Sequence, residues 1–165
     1  MYERPEETAP LSQGDIFDDC PIVFWEVSVT QDGIVRKACE LHVRVVVLTQ
    51  SCDLENVKTT RVQVALVHGS NELVDAGLLA AKTIRDNVRL HRVYGWYFLE
   101  ASNLLPESIV DLRDVHTLPR ALLEHLARAG KRVCTIRTPY REHLAQHFGV
   151  AFSRIALPNP PKTVD

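Results

Sequence analysis

The sequence lacks the features that mark secreted, membrane-spanning and nucleotide-hydrolysing proteins. Its four cysteines (Cys20, Cys39, Cys52, Cys134) include no CxxC pair, so their spacing writes neither a disulfide framework nor a zinc ribbon. The longest apolar run, residues 43–48, is interrupted by Arg44 and is far too short to span a bilayer. The opening MYERPEETAP is acidic and has no apolar stretch of the signal-peptide kind. There is no glycine-rich phosphate loop, no GxSxG and no HExxH, which argues against triphosphate hydrolysis, serine hydrolysis and zinc proteolysis in their common forms. No segment repeats. These absences predict a cytoplasmic protein with reduced thiols and no membrane association.

What is present suits one domain. The 165 residues are 45% hydrophobic, enough for a single core that needs no disulfide staples. The net charge of −2 gives no global basic field, but its distribution is uneven. Residues 1–84 hold 7 basic against 13 acidic groups, and residues 85–154 hold 11 against 7. That asymmetry fits either an anion-binding face in the second half or mutual neutralisation of the halves across the fold.

Periodicity gives the order of elements. Residues 1–12 read as a disordered lead and 158–165 as a disordered tail, with a single α+β domain over 13–157. A short strand opens at Gly14-Asp15-Ile16-Phe17, Pro21 punctuates it, and residues 22–30 are rich in β-branched and aromatic side chains. Gln31-Asp32-Gly33 signals a hairpin. The returning strand, residues 34–48, ends in near-continuous apolar character, as a strand buried on both faces does. A polar loop is expected over 50–60, a strand over 61–67, and an amphipathic helix over 73–88 from apolar residues at helical spacing. Strands follow at 93–99, where Gly95 hints at a bulge, and at 108–112. A helix runs from Pro119 to Arg128 and stops at Gly130. A last strand is expected over 131–136, and a helix capped by Thr138 with Glu142 three residues after Pro139.

Three groups of residues could carry chemistry. Loops at the ends of buried strands present functional groups, and Thr49-Gln50-Ser51-Cys52-Asp53 is such a loop. Cys52 there is a nucleophile if a basic neighbour lowers its pKa, and Asp53 is a base or a turn cap. Cys39 with His42, and His143 with His147, have spacings that zinc sites use. On a strand, however, residues three apart face opposite ways, and the 143–147 pair lacks the glutamate of metalloproteases. No metal or other cofactor is assigned. Arg85, Arg89 and Arg92 precede Tyr94 and Trp96; arginines hold phosphates and rings stack on bases, so the group suits single-stranded RNA. The alternative places Trp96 in the core and the arginines on a solvated helix face.

The Gly14-Asp15-Ile16 opening, the hairpin, the strand His42-Val43-Arg44-Val45-Val46-Val47-Leu48-Thr49 and the strand ending at His68-Gly69-Ser70 resemble PemK/MazF-type toxins. The resemblance extends over about 60% of the chain, through the 108–112 strand and the helix after it. It implies a small antiparallel SH3-like β-barrel with C-terminal helices, a homodimer, an antitoxin or other protein partner, and metal-independent RNA cleavage. It makes Arg44 the group that stabilises charge on the scissile phosphate, as a fixed guanidinium can, and Ser70 the hydroxyl residue. Thr49, Cys52 and Asp53 are expected to line the same cleft. The Arg-Pro before the strand in such toxins is absent here, and Gln50-Ser51-Cys52-Asp53 is not one of their features. The sequence therefore supports an RNA-binding or RNA-cleaving domain. Two alternatives stand beside it: a non-catalytic protein-interaction module, and a small Cys- or metal-dependent enzyme centred on Cys52.

Overall fold

A computed structural model describes residues 1–31, 33–55 and 59–153. The expected tail, 158–165, lies outside the described residues, as does Asp32 of the hairpin signal. Among the described residues the chain is α+β. Seven strands form one antiparallel sheet in the order β1-β7-β2-β3-β4-β6-β5. These are β1 (Tyr2–Glu3), β2 (Asp15–Thr30), β3 (Gly33–Val47), β4 (Arg61–Gly69), β5 (Trp96–Leu99), β6 (Ser108–Pro119) and β7 (Arg132–Ile136). The helices are α1 (Ser51–Glu55), α2 (Ser70–Asp75), α3 (Ala81–Thr83), α4 (Arg120–Arg128) and α5 (Tyr140–Phe152), with a π turn at Ile84–Val88.

Strand alternation divides the core between two faces. Phe17, Val45, Val47, Val62 and Val64 meet Leu54 of α1 and Leu123 and Leu126 of α4 on one face. Ile16, Val46, Ala65, Val67, Tyr97 and Ile136 meet Leu144 of α5 on the other. Val45, Val46 and Val47 are consequently all fully buried, so the end of β3 is enclosed on both sides as its composition predicts. Each such side chain contributes about 1.5–3 kcal/mol by leaving water. A third cluster packs Leu73, Ile84 and Val88 beneath Trp96, Phe98 and Ile109.

The sheet is open. Tyr2 Oη donates to the carbonyl of Glu100, just past β5, at 2.9 Å, so the outer strands come near each other. No ladder joins β1 to β5, and the expected closed SH3-like barrel gives way to a curled sheet with two edges. The expected disordered lead is also corrected. Tyr2 and Glu3 pair with Ile136 and Thr135, Leu11 is buried, and the Arg132 guanidinium donates to the carbonyls of Glu6, Ala9 and Pro10 at 2.8, 2.8 and 3.1 Å. Proline and glutamate content signalled disorder locally; one buried cation collecting carbonyls overrides it.

Two helical expectations change as well. The helix expected over 73–88 is broken, because Gly77 takes φ +69°. Its amide donates to Val74 O and that of Leu78 to Leu73 O, at 3.0 and 2.9 Å, the paired bonds that end a helix on a left-handed residue. Gly130 ends α4 in the same way, with Lys131 N–H on Leu126 O at 2.9 Å. The polar loop over 50–60 contains α1, whose Leu54 is fully buried.

Past Ile22 and Leu41 the β2–β3 hairpin leaves the body of the fold. Its ladder continues from Ile22↔Leu41 to Thr30↔Gly33, while β3 meets β4 only at Arg44–Val47 and β2 meets β7 only at Asp15–Phe17.

Candidate functional site

The arginine cleft begins with a bulge. The β2 register shifts between Phe17 and Cys20, and Asp19 sits at φ +58°, a conformation Asp tolerates better than most residues. The extra residues aim two carboxylates at β3. Asp18 takes the Arg44 guanidinium through Nε and Nη2, the latter at 3.0 Å. Asp19 Oδ1 meets His42 Nδ1 at 2.8 Å, and its other oxygen meets Lys131 Nζ at 2.7 Å. Glu40 reaches His42 Nε2 at 3.2 Å. Asp18, Asp19, His42 and Arg44, together with His68, Gly69, Glu72 and Pro106, line a cavity of about 420 Å3. Hydrogen bonds from Lys131 and His42 hold the Asp19 carboxyl below its ordinary range. Hydrogen bonding to Asp19, then to Glu40, raises His42, and the bond to Asp18 raises Arg44.

Ser70 does not line that cavity. It is buried at the start of α2, where its Oγ donates to Glu107 Oε1 at 2.8 Å and its N–H to Glu107 O at 3.0 Å. The Thr49–Asp53 loop is also elsewhere. Thr49 Oγ1 accepts the Gln63 N–H at 2.7 Å. Ser51 Oγ accepts the Gln13 N–H at 3.2 Å and lies 3.0 Å from Ser12 Oγ. Ser51 thus fastens the chain before β2 and Thr49 ties the end of β3 to β4, a structural use of the loop. Cys52 and Asp53 lie exposed on α1, and the Cys52 thiol faces two acceptors, Gln50 Oε1 at 3.6 Å and Asp53 Oδ1 at 4.0 Å. Neither residue lines the Arg44 cavity, so the expectation of one shared cleft is not met.

The arginine and aromatic group divides in two. Arg92, Tyr94 and Trp96 line a cavity of about 630 Å3 with Arg113, Leu112 and Phe152. Trp96 is buried, and the Arg113 guanidinium lies 3.9 Å over its ring, fixed by Asp111 through bonds of 2.9 and 2.8 Å. Gly95 permits this approach: a Cβ there would fall 2.9 Å from Arg113 Cδ. Gly95 is thus not a bulge within a strand but a close-contact residue ahead of β5. Tyr94 and Phe152 remain exposed at the rim. Arg85 instead pairs with Asp86 at 3.0 Å, and Arg89 lies 4.8 Å over Phe98, both outside this cavity.

The histidines of α5 find a third. His91, at φ +53°, has ring centroids 4.5 Å from His143 and 5.8 Å from His147. Tyr97 Oη lies 3.1 Å from His143 Nδ1, and His147 Nε2 lies 3.3 Å from the Val93 carbonyl. The buried Nδ1 of His91 has no hydrogen-bond partner. Burial, then the neighbouring imidazoles, push His91 down to about 4; burial lowers His147 too. Among the described residues no three His, Cys, Asp or Glu side chains are placed to hold a metal ion, and no helix is long and apolar enough to cross a membrane.

Arg113, Phe152, Asp18 and Asp19 escaped the sequence reading. Arg113 was discoverable, since apolar character resumes beyond it at Val115 and Leu118 and β6 runs on to Pro119. The bulge carboxylates left no periodic signal. The chain matches no protein-family model and no curated protein.

Proposed function

We propose that this chain is an RNA-directed domain that holds a single strand in the cavity of Arg92, Tyr94, Trp96 and Arg113. The observation that carries the reading is the Arg113 guanidinium held over the Trp96 ring by Asp111, beside exposed Tyr94 and Arg92. Such a wall offers a flat cationic plane and an aromatic ring for unstacked bases, with a second cation for phosphate. The curl that brings Tyr2 to Glu100 supports reading the sheet as an opened variant of the SH3-like barrel of PemK/MazF-type toxins. An antitoxin-like protein partner belongs to the same reading.

Anisotropy of a labelled single-stranded RNA tests it. Tyr94→Ala and Arg113→Ala are each expected to weaken binding by about 1–3 kcal/mol, roughly 5- to 150-fold. Arg92→Ala is expected to reduce the slope of log affinity against log salt by about 1. Binding that none of the three changes would place RNA elsewhere or nowhere.

A second reading, metal-independent cleavage, is favoured by one observation, the Asp19–His42 contact beside Arg44. His42, whose protonated form the Asp19 hydrogen bond favours, is the proton donor to the leaving 5′-oxygen, and Arg44 the charge stabiliser. Ser70, committed to Glu107, has no part in it. In excess EDTA, cleavage is expected to persist, to fall about 100-fold or more in His42→Ala, and to decline as pH rises through the raised His42 pKa. Inactivity of the wild type on every RNA tried removes this reading and leaves binding.

A further inference from the structure

We infer that the projecting β2–β3 ribbon is a self-association surface whose occupant is the same face of a second copy of this chain. Antiparallel pairing puts directly opposed residues on one side of a ribbon. One face therefore carries Val23, Trp25, Val27 and Val29 opposite Glu40, Ala38, Arg36 and Ile34. Its large apolar members are 56%, 65%, 57% and 80% exposed, and Ile34 is 58% exposed. The other face holds the Glu26–Lys37 ion pair, Ser28 and exposed Val35 toward the tip, and half-buried Phe24 and Cys39 beside exposed Leu41 nearer the body of the fold. A contiguous apolar strip on one side of a two-stranded ribbon marks a contact surface, and a ribbon with no third strand gains stability from being covered.

Charge order selects the occupant. Arg36 and Glu40, of opposite sign, flank Ala38 on β3, two residues to either side. A two-fold axis through Trp25 and Ala38, lying across the strands, exchanges the two ends of the face. Each Arg36 then meets the other copy's Glu40, and Trp25 meets Trp25. A face whose charges are reversed by its own two-fold rotation is self-complementary, as an isologous interface requires. An RNA backbone or an acidic lipid surface would call instead for a basic excess, and the strip has one cation and one anion. Glu40 is also within reach of His42, at 3.2 Å.

Such a contact covers on the order of 500 Å2 per copy, taking 150–250 Å2 for the tryptophan and less for each aliphatic residue. That is below the roughly 800 Å2 per partner of a standard interface, so the association is weak and micromolar.

Sedimentation velocity on the whole chain, from about 1 to about 500 µM, tests this. The wild type is expected to dimerise within that range, and Trp25→Ser to stay monomeric. Arg36→Glu and Glu40→Arg are each expected to weaken self-association at least 10-fold, because each sets like charges opposite one another. An equimolar mixture of those two variants is expected to dimerise again, since each then meets its opposite. All three substitutions are at exposed positions, and circular dichroism confirms the fold. A monomeric wild type at every concentration, a dimer indifferent to Trp25→Ser and Arg36→Glu, or a mixture no better than its components overturns the inference. So does a monomer that engages RNA or phosphatidylserine vesicles through Trp25.

Discussion

Arg132→Ala is expected to lower the stability to urea by about 3–5 kcal/mol, the usual cost of breaking a buried ion pair on one side. Arg132 and Asp15 are 3% and 1% exposed, with Nη1 and Oδ2 3.1 Å apart. Asp15 also receives the Thr135 hydroxyl and, at 2.9 Å, the Ser12 N–H. Burial pushes the Asp15 carboxyl upward against these contacts, which shows how much of its ionised state rests on them. Removing the guanidinium leaves that carboxylate in the interior and releases the carbonyls of Glu6, Ala9 and Pro10. Two results separate these costs. Asp15→Asn added to Arg132→Ala is expected to recover part of the loss, because no charge is then stranded. Arg132→Lys is expected to remain well below wild type, since an ammonium cannot serve so many acceptors from one plane. Proteolysis within residues 1–12 should accelerate in step. An Arg132→Ala protein within 1 kcal/mol of wild type would contradict the account.

Stability is also expected to fall as pH drops from about 7 to about 5, with His91 a principal cause. Folding lowers His91 from 6.5 to about 4. The unfolded chain therefore takes up a proton below about 6.5 that the folded chain refuses until about 4, and acid favours unfolding across that window. After discounting for partial solvent access, the His91 share is on the order of 1 kcal/mol between pH 7 and pH 5, and His147 adds in the same direction. Arg89, Glu100, Tyr140 and His143 line the cavity beside His91. His42 acts oppositely: its raised pKa contributes stability below 6.5 that is lost as pH rises through the folded value. The readout is thus a difference. Urea titrations of wild type and His91→Asn at pH 7 and 5 should show the variant less acid-sensitive. Asn suits the test because it accepts the left-handed backbone of position 91 and does not titrate. Equal acid sensitivity of the two proteins would remove His91 as the cause.

How far the sequence could be read differs from element to element. The near-continuous apolar run through Val45-Val46-Val47 predicted a doubly buried strand, and the structure encloses all three. Gly130 ends α4 as expected, and Gly77, by the same chemistry, ends a helix that apolar spacing alone had carried on to Val88. Of the nucleic-acid group, Arg92, Tyr94 and Trp96 converge on one cavity. Arg85 and Arg89 lie outside it, on Asp86 and over Phe98. The loop at Thr49–Asp53 was correctly placed after the buried strand, but its composition could not tell presentation of chemistry from fastening of backbone. Thr49 and Ser51 spend their hydroxyls on the amides of Gln63 and Gln13, partners that exist only once distant segments meet.

By itself the sequence determined the α+β class, the chain order of the strands from β2 to β7, the stop of α4 at Gly130 and the β2–β3 hairpin, because each depends on neighbours within a few residues. Tertiary structure decided that the sheet stays open, that Tyr2 and Glu3 join it, and that the bulge at Asp18 and Asp19 turns two carboxylates toward Arg44 and His42. Those outcomes depend on pairings between residues 23 to 134 positions apart, and local composition carries no record of which distant strand supplies the partner.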